Sequence, residues 1–396
     1  MEVIAIATDA APTKTLGGPG RFSPSLFENL LLAPRKQKAF IGLFCGHLAG
    51  DQSEIRYSDS AKTASSKFSA REKLAIYAPH LFIRASKIKR SISSPGRVRT
   101  LQKHNVGVIH AHDFSVVDRL KDFPGKIIFT NHYKGSLYKE AQRYQPGMNH
   151  QAWEHRYLEM ERTAIQRADL ITFPSRSAKN LLKEDHSDLD VEIERKSTIV
   201  YSGIDAGFID TVNRINGFDK RVYLNVANHI PDKGIDIALQ VFSELRRHDP
   251  EAHFINVGLE GPETDNLKKM SKSLGIESST KFLGVCPFSE VIGLMKSSFA
   301  MIHTPKRVVF DLTVLEAMAA GVPIISSSAL GNIEALGDKH PLLLNAQGAS
   351  VDDMACLLES SSSKHQIIKY QRDRLEDMFT IAAMVGRYLS LYDSLN

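Results

Sequence analysis

Short apolar runs of strand length alternate with helix-forming stretches along nearly all of this 396-residue chain. The runs are Val3–Ala7, Ala39–Phe44, Val106–Ile109, Lys126–Thr130 and Leu170–Phe173, then Val222–Val226, His253–Val257, Thr280–Leu283, Ala300–Ile302 and Pro323–Ile325. A strand apolar on both faces needs cover on both, and helical connections supply it while carrying the chain to a parallel neighbour. The expected fold class is therefore α/β, with doubly wound parallel sheets. So long a chain exceeds one ordinary core, and the pattern reads as two domains. The join falls around Tyr201–Arg221, where Ser202-Gly203-Ile204-Asp205 closes one half and Asn216-Gly217 precedes the next strand. Residues 1–205, with a returning C-terminal helix at 378–396, are expected to form the first domain and 206–377 the second. The Ser-rich pieces Ala64–Ser69 and Ser360–Ser363 read as loops.

The composition, 42% apolar and 24% charged, is that of a globular protein. No apolar run reaches membrane-spanning length, and Met1-Glu2-Val3-Ile4 lacks a basic leader, so the expectation is a cytoplasmic protein without a transmembrane helix. Cys45, Cys286 and Cys356 form no Cys-x-x-Cys pair, which favours reduced thiols over a disulfide or metal role. The net charge of +5 is mild but uneven. From Lys73 to His112 there is no acidic residue, while Arg84, Lys87, Lys89, Arg90, Arg97, Arg99 and Lys103 fall there among Leu81, Phe82, Ile83 and Ile88. Such a segment is either a solvated helix face or a contact for an anionic membrane surface through 84–103, the latter placing the protein peripherally on the inner face of the cytoplasmic membrane. No nucleic-acid module surrounds it, so no nucleic-acid partner is expected.

Thr304–Ser326 carries the most chemistry. An irregular loop enters a helix rich in Ala, Leu and Met, Gly321 stops it, and Pro323 leads into a strand. The unpaired amides at the start of such a helix can receive an anion such as a diphosphate. The segment resembles the donor-binding signature of retaining GT-B glycosyltransferases of family 4: Glu, seven residues, Glu, then Ala-Met-Ala-x-Gly-x-Pro. Glu316 falls on the second glutamate and Val308 on the first, where relatives carry a sugar-contacting carboxylate. Phe310 and Leu312 keep the pattern; Asp311 and Thr313 stand where Gly and often Pro would be.

The resemblance covers most of the chain. Gly17-Gly18-Pro19-Gly20 is similar to the family's Gly-Gly loop, Thr130-Asn131-His132 to its Thr-x-His element, and Glu161–Ser175 to its helix-to-strand passage. Ser202-Gly203-Ile204-Asp205 resembles the linker ending in Gly-x-Asp. In the second half, Asn228 stands where relatives have arginine, and Lys233-Gly234 matches the lysine that reaches the nucleotide diphosphate. A cation there opposes the charge that builds on the leaving diphosphate, so Lys306, Arg307 and His229 are candidates to compensate for Asn228. Val257-Gly258-Leu259, Phe282-Leu283-Gly284-Val285 and Gly331-Asn332-Ile333-Glu334 continue the series, and Asp377–Tyr392 resembles the final helices.

The resemblance implies two Rossmann-like domains, acceptor-side then nucleotide-sugar-side, facing across a cleft. It implies transfer of a sugar, with retention, from a nucleotide diphosphate sugar to a glycan or lipid-linked acceptor in bacterial-type polysaccharide, lipopolysaccharide or glycoconjugate synthesis. His132, Lys233 and Glu316 take the catalytic roles. Gly17, Gly18, Asn228, Gly258, Val285, Lys306, Phe310, Asp311 and Leu312 join Lys233 and Glu316 in donor binding. No metal or other cofactor is expected. With Val308, the implied consequence is a donor sugar that does not demand that carboxylate, such as a deoxy sugar, or another carboxylate such as Asp311 in its place.

Other readings of the same residues stay beside this one. With Val308 and Asn228 together, the chain could be a non-catalytic relative that binds a glycan or a partner subunit. His110-x-His112-Asp113 has the look of a metal-hydrolase strand end, although no partner Asp-His cluster follows. Asp188-Leu189-Asp190 has the spacing of a metal-diphosphate motif but reads as solvated charge. Thr313-Val314-Leu315-Glu316 also fits a capping box, which would give Glu316 a structural task beside ribose binding.

Overall fold

In a computed structural model of the chain, residues 2–8, 19–32, 38–44, 47–49, 95–144, 150–215, 221–344 and 350–395 are described. Gly17, Gly18, Ala64–Ser69, Asn216-Gly217 and the part of the basic segment before residue 95 lie outside the described residues. The rest of that segment, at 95–103, is helical.

The chain divides into two compact units, Met1–Val200 with Val385–Asn396, and Tyr201–Met384. The first unit carries β1 (Glu2–Thr8), β2 (Lys38–Phe44), β3 (His47–Ala49), β4 (Val106–Ala111), β5 (Lys126–Thr130), β6 (Leu170–Phe173) and β7 (Ser197–Ile199). The second carries β8 (Val222–Val226), β9 (His253–Val257), β10 (Thr280–Phe282), β11 (Ala300–His303) and β12 (Ile324–Ser326). Their orders are β3-β2-β1-β4-β5-β6-β7 and β10-β9-β8-β11-β12. Every pairing is parallel except β2 with β3. Each unit is thus an α/β sheet whose first strand lies inside it, with the chain winding outward first to one side and then to the other, as the alternation of runs leads one to expect. Strands β3 and β7 were not legible as apolar runs; both are three-residue edge strands, too short to show a period.

In the second unit the pleat sorts the core into two layers. Val222, Leu224, Ile255, Met301 and Ile324 pack to one face with Val314, Leu315 and Met318 of the helix Leu312–Ala320. Tyr223, Phe254, Ile302 and Ile325 pack to the other with Ile235, Ala238, Leu239 and Phe242 of the helix Ile235–Leu245. That 3–4 spacing puts the helix's apolar stripe on one side, and the sheet's period of two gives each face its own partner.

The linker belongs by its bonds to the second unit. Ile204 pairs with Thr380, its amide donates to Phe379 O at 3.0 Å, and the Ile381 amide donates to Ile204 O at 3.2 Å. Gly203 is needed there, because a Cβ would sit 2.3 Å from Thr380 O. The division therefore falls before Tyr201 and after Met384. Beyond it the last helix, Ile381–Ser394, joins the first unit through Tyr388 and Tyr392, both fully buried.

Candidate active site

Reversal of strand order opens a crevice at the carboxyl ends of the two strands where winding changes direction. In the second unit these are β8 and β11, followed by the segments Ala227–Gly234 and Thr304–Asp311. The segments are laced together. The Lys306 amide donates to Asp232 O at 2.9 Å, and Thr304 Oγ1 donates to Gly234 O at 2.8 Å. Gly234 is left-handed, φ +59°, and a Cβ on it would lie 1.9 Å from Thr304 O. Only glycine combines that conformation with that approach.

This lacing aims Lys233. Its ammonium bonds Asp311 Oδ2 at 2.7 Å, and Asp311 caps the helix Leu312–Ala320, its Oδ1 accepting the Thr313 amide at 3.2 Å. Burial would raise the Asp311 carboxyl, but the Lys233 ammonium and the His303 imidazole outweigh it and hold the group well below the usual carboxylate range. The cap revises the reading of Glu316. With Asp311 rather than Thr313 at the N-cap, Glu316 stands in the second turn, beyond the position a capping box uses. It is 5% exposed, consistent with a side chain held for contact at the site.

The departures from the family pattern have local explanations. Asn228 Oδ1 accepts the Leu259 amide at 2.8 Å, tying the loop after β8 to the loop after β9, a bond arginine could not make. Gly258 permits the approach, since a Cβ would meet Ala227 O at 2.0 Å. Its amide donates to Gly284 O at 2.9 Å, so the loop after β10 is bound in as well. Leu259 and Val285 stand on these loops 53% and 72% exposed, apolar surface beside the strand ends. Val308 is buried, and Gly331 packs on its backbone: a Cβ there would meet Val309 O at 2.4 Å. Phe310 joins Tyr201 and Phe379 in an aromatic trio with centroids 5.3–5.5 Å apart, which fixes the loop ahead of the helix. Leu312 opens the helix.

Of the compensating cations, His229 is excluded. It is fully buried and bonds Thr264 Oγ1 at 2.8 Å and Asn256 Oδ1 at 2.6 Å, which makes it a structural tie. Lys306 pairs with Asp236 at 2.7 Å on the surface, a contact weak enough to exchange.

In the first unit, His132 follows β5, with Nε2 3.0 Å from Nδ1 of His112. Burial pushes the imidazoles of His132 and His110 down to about 3, helped at His110 by the charge of His132. The hydrolase reading fails on its ligands. His110 spends Nδ1 on Tyr392 at 2.7 Å and Nε2 on Thr130 at 2.6 Å. No group of three or more His, Cys, Asp or Glu side chains among the described residues is arranged to hold a metal. Asp188 and Asp190 form surface pairs with Arg162 and Lys183.

Sequence reasoning missed two residues. Glu161, fully buried, accepts from Ser136 Oγ at 3.1 Å, the Tyr138 amide at 2.9 Å and His186 Nε2 at 2.6 Å, and so anchors the loop that follows His132. His303, 1% exposed at the end of β11, lies with Nε2 3.4 Å from Asp311 Oδ2. A polar residue closing an apolar strand was the available signal.

Two family models match adjoining parts of the chain, Glycosyltransferase Family 4 over residues 59–208 and Glycosyl transferases group 1 over residues 209–374. The chain belongs to the family 4, group 1 glycosyltransferases. It is 22% identical over 305 residues to a phosphatidylinositol N-acetylglucosaminyltransferase of Arabidopsis thaliana, spanning 75% of this chain and 64%, under two thirds, of that protein. Among solved structures it is similar to Anabaena HepE in complex with UDP, with TM-score 0.64, 16% identity and all of both chains covered. It is also similar to the sucrose-phosphate synthase of Thermosynechococcus elongatus, with TM-score 0.67, 18% identity, and 100% and 99% of the two chains covered. These neighbours show the GT-B fold. Membership removes the metal hydrolase from consideration.

Proposed function

We propose that this glycosyltransferase moves a sugar, with retention, from a nucleotide diphosphate sugar to a glycan or lipid-linked acceptor. The observation that carries the reading is Lys233, held by the Gly234–Thr304 contact with its ammonium at the N-cap of the helix Leu312–Ala320. A cation and a helix start converging on one point suit a diphosphate whose charge grows as the glycosidic bond breaks. Glu316 serves the ribose, Leu259 and Val285 the base, and His132 the sugar. UDP in the HepE complex supports a nucleotide donor, and the inositol lipid in the name of the Arabidopsis relative supports a lipid-linked acceptor. No described helix is long and apolar enough to cross a membrane. Segment 84–103 is the proposed contact with an anionic membrane, to be weakened by salt as exposed charges are screened within about 10 Å at 0.1 M.

The test is Lys233→Ala. UDP, GDP and ADP are titrated calorimetrically into both proteins. At least one nucleotide should bind wild type and lose tenfold or more in the variant, the measure of about 1.4 kcal/mol. Equal affinity would remove Lys233 from the donor site. Retained glycan binding without turnover of any nucleotide sugar would favour a non-catalytic relative.

A further inference from the structure

The proposed diphosphate site already contains an anion supplied by the chain itself. Asp311 takes the Lys233 ammonium on Oδ2 at 2.7 Å and the first helix amide, that of Thr313, on Oδ1 at 3.2 Å. Both donors that a diphosphate would recruit there are bonded to a carboxylate. Behind it lies a second anomaly. His303 is 1% exposed, and neither of its ring nitrogens makes a hydrogen bond. A buried imidazole with both nitrogens idle is unfavourable, and here one sits 3.4 Å from the carboxylate oxygen that Lys233 holds.

We propose that Asp311 is a displaceable internal anion, bound to Lys233 while the site is empty and driven onto His303 when the donor diphosphate arrives. The inference rests on the reading of this loop as the donor site. The exchange makes and breaks hydrogen bonds only. Lys233 and the Thr313 amide pass from carboxylate to diphosphate, and the displaced carboxylate accepts from the His303 ring N–H instead of standing beside a dianion. Each charge keeps a partner in both states, which is the condition for moving one in a half-buried site. Relatives with glycine in place of Asp311 have no such competitor, so this chain sets its donor affinity by the difference between the two arrangements. Asp311 is accordingly an affinity-determining residue and His303 a positioning residue acting through it.

The experiment uses inorganic pyrophosphate, which needs no knowledge of the base, with UDP alongside, titrated into the full chain by calorimetry. Asp311→Asn keeps a good helix cap and removes the charge, so pyrophosphate should bind about tenfold more tightly. His303→Ala should weaken binding about tenfold in the wild-type background, yet change it less than twofold in the Asp311→Asn background, where no displaced charge seeks a partner. Melting curves verify folding in all four proteins. Unchanged or weaker binding by Asp311→Asn overturns the exchange, as does an equal effect of His303→Ala in both backgrounds. Lys233→Ala separates the levels. Loss of pyrophosphate binding there with no gain in Asp311→Asn rejects the exchange alone, whereas no loss rejects the donor-site reading beneath it.

Discussion

Replacing Gly234 by alanine tests the geometry on which the donor site stands. At φ +59° and ψ +33° the residue is left-handed, a conformation costing about 1–2 kcal/mol once a Cβ is present. That Cβ would also lie 1.9 Å from Thr304 O and 3.0 Å from Thr304 C, both backbone atoms that cannot rotate away. Relief requires the segments after β8 and β11 to separate, which breaks the Thr304 Oγ1 to Gly234 O bond of 2.8 Å and strains the Lys306 amide to Asp232 O bond of 2.9 Å. At roughly 1 kcal/mol per bond, the total is about 3–4 kcal/mol. The only tryptophan, Trp153, is in the first unit, so its fluorescence does not report this change. Hydrogen exchange of the β8 and β11 amides does, and should accelerate by about 100-fold or more, a factor of ten for each 1.36 kcal/mol. Nucleotide binding should fall with it, since Lys233 loses its aim. Exchange within threefold of wild type, with nucleotide affinity retained, would show that the two segments yield freely and that their contact does not position the lysine.

Glu161→Ala leaves His186, Ser136 Oγ and the Tyr138 amide without their buried acceptor; a loss of about 3–5 kcal/mol is expected, read by urea unfolding followed at Trp153. The first unit should also lose stability as pH falls from about 6.5 toward 3. Folded His110 and His132 have pKa values lowered to about 3, so the unfolded chain binds more protons in that window, and His110 alone contributes up to about 1.4 kcal/mol per pH unit. His110→Asn should flatten the acid limb of the Trp153 transition, and an unchanged slope would place the uptake elsewhere. Val308→Glu restores the family carboxylate at a buried position. Donor preference should shift toward fully hydroxylated sugars by about tenfold, as a sugar hydroxyl gains the acceptor that valine lacks, in turnover assays with folding verified. Unchanged preference and rate would mean that position 308 does not face the sugar.

What the sequence determined by itself is what local periodicity and chain geometry report. The apolar runs and the helical spacing between them specified two parallel, doubly wound α/β units, because a strand buried on both faces has few other ways to be covered. Gly321 and Pro323 marked the end of the helix Leu312–Ala320 and the start of β12, and Lys233-Gly234 marked a turn needing a left-handed residue. These signals lie within a few residues of their effects. The tertiary structure decided which distant groups meet. Lys233 finds Asp311, 78 positions on, because β8 and β11 are neighbours at the point where winding reverses. Asn228 ties two loops instead of supplying charge. His110, which in sequence reads equally as a metal ligand, is occupied by a tyrosine 282 positions away on the last helix. A side chain's chemistry depends on which partner takes its hydrogen-bonding atoms, and strand order, which no local pattern encodes, brings that partner within reach.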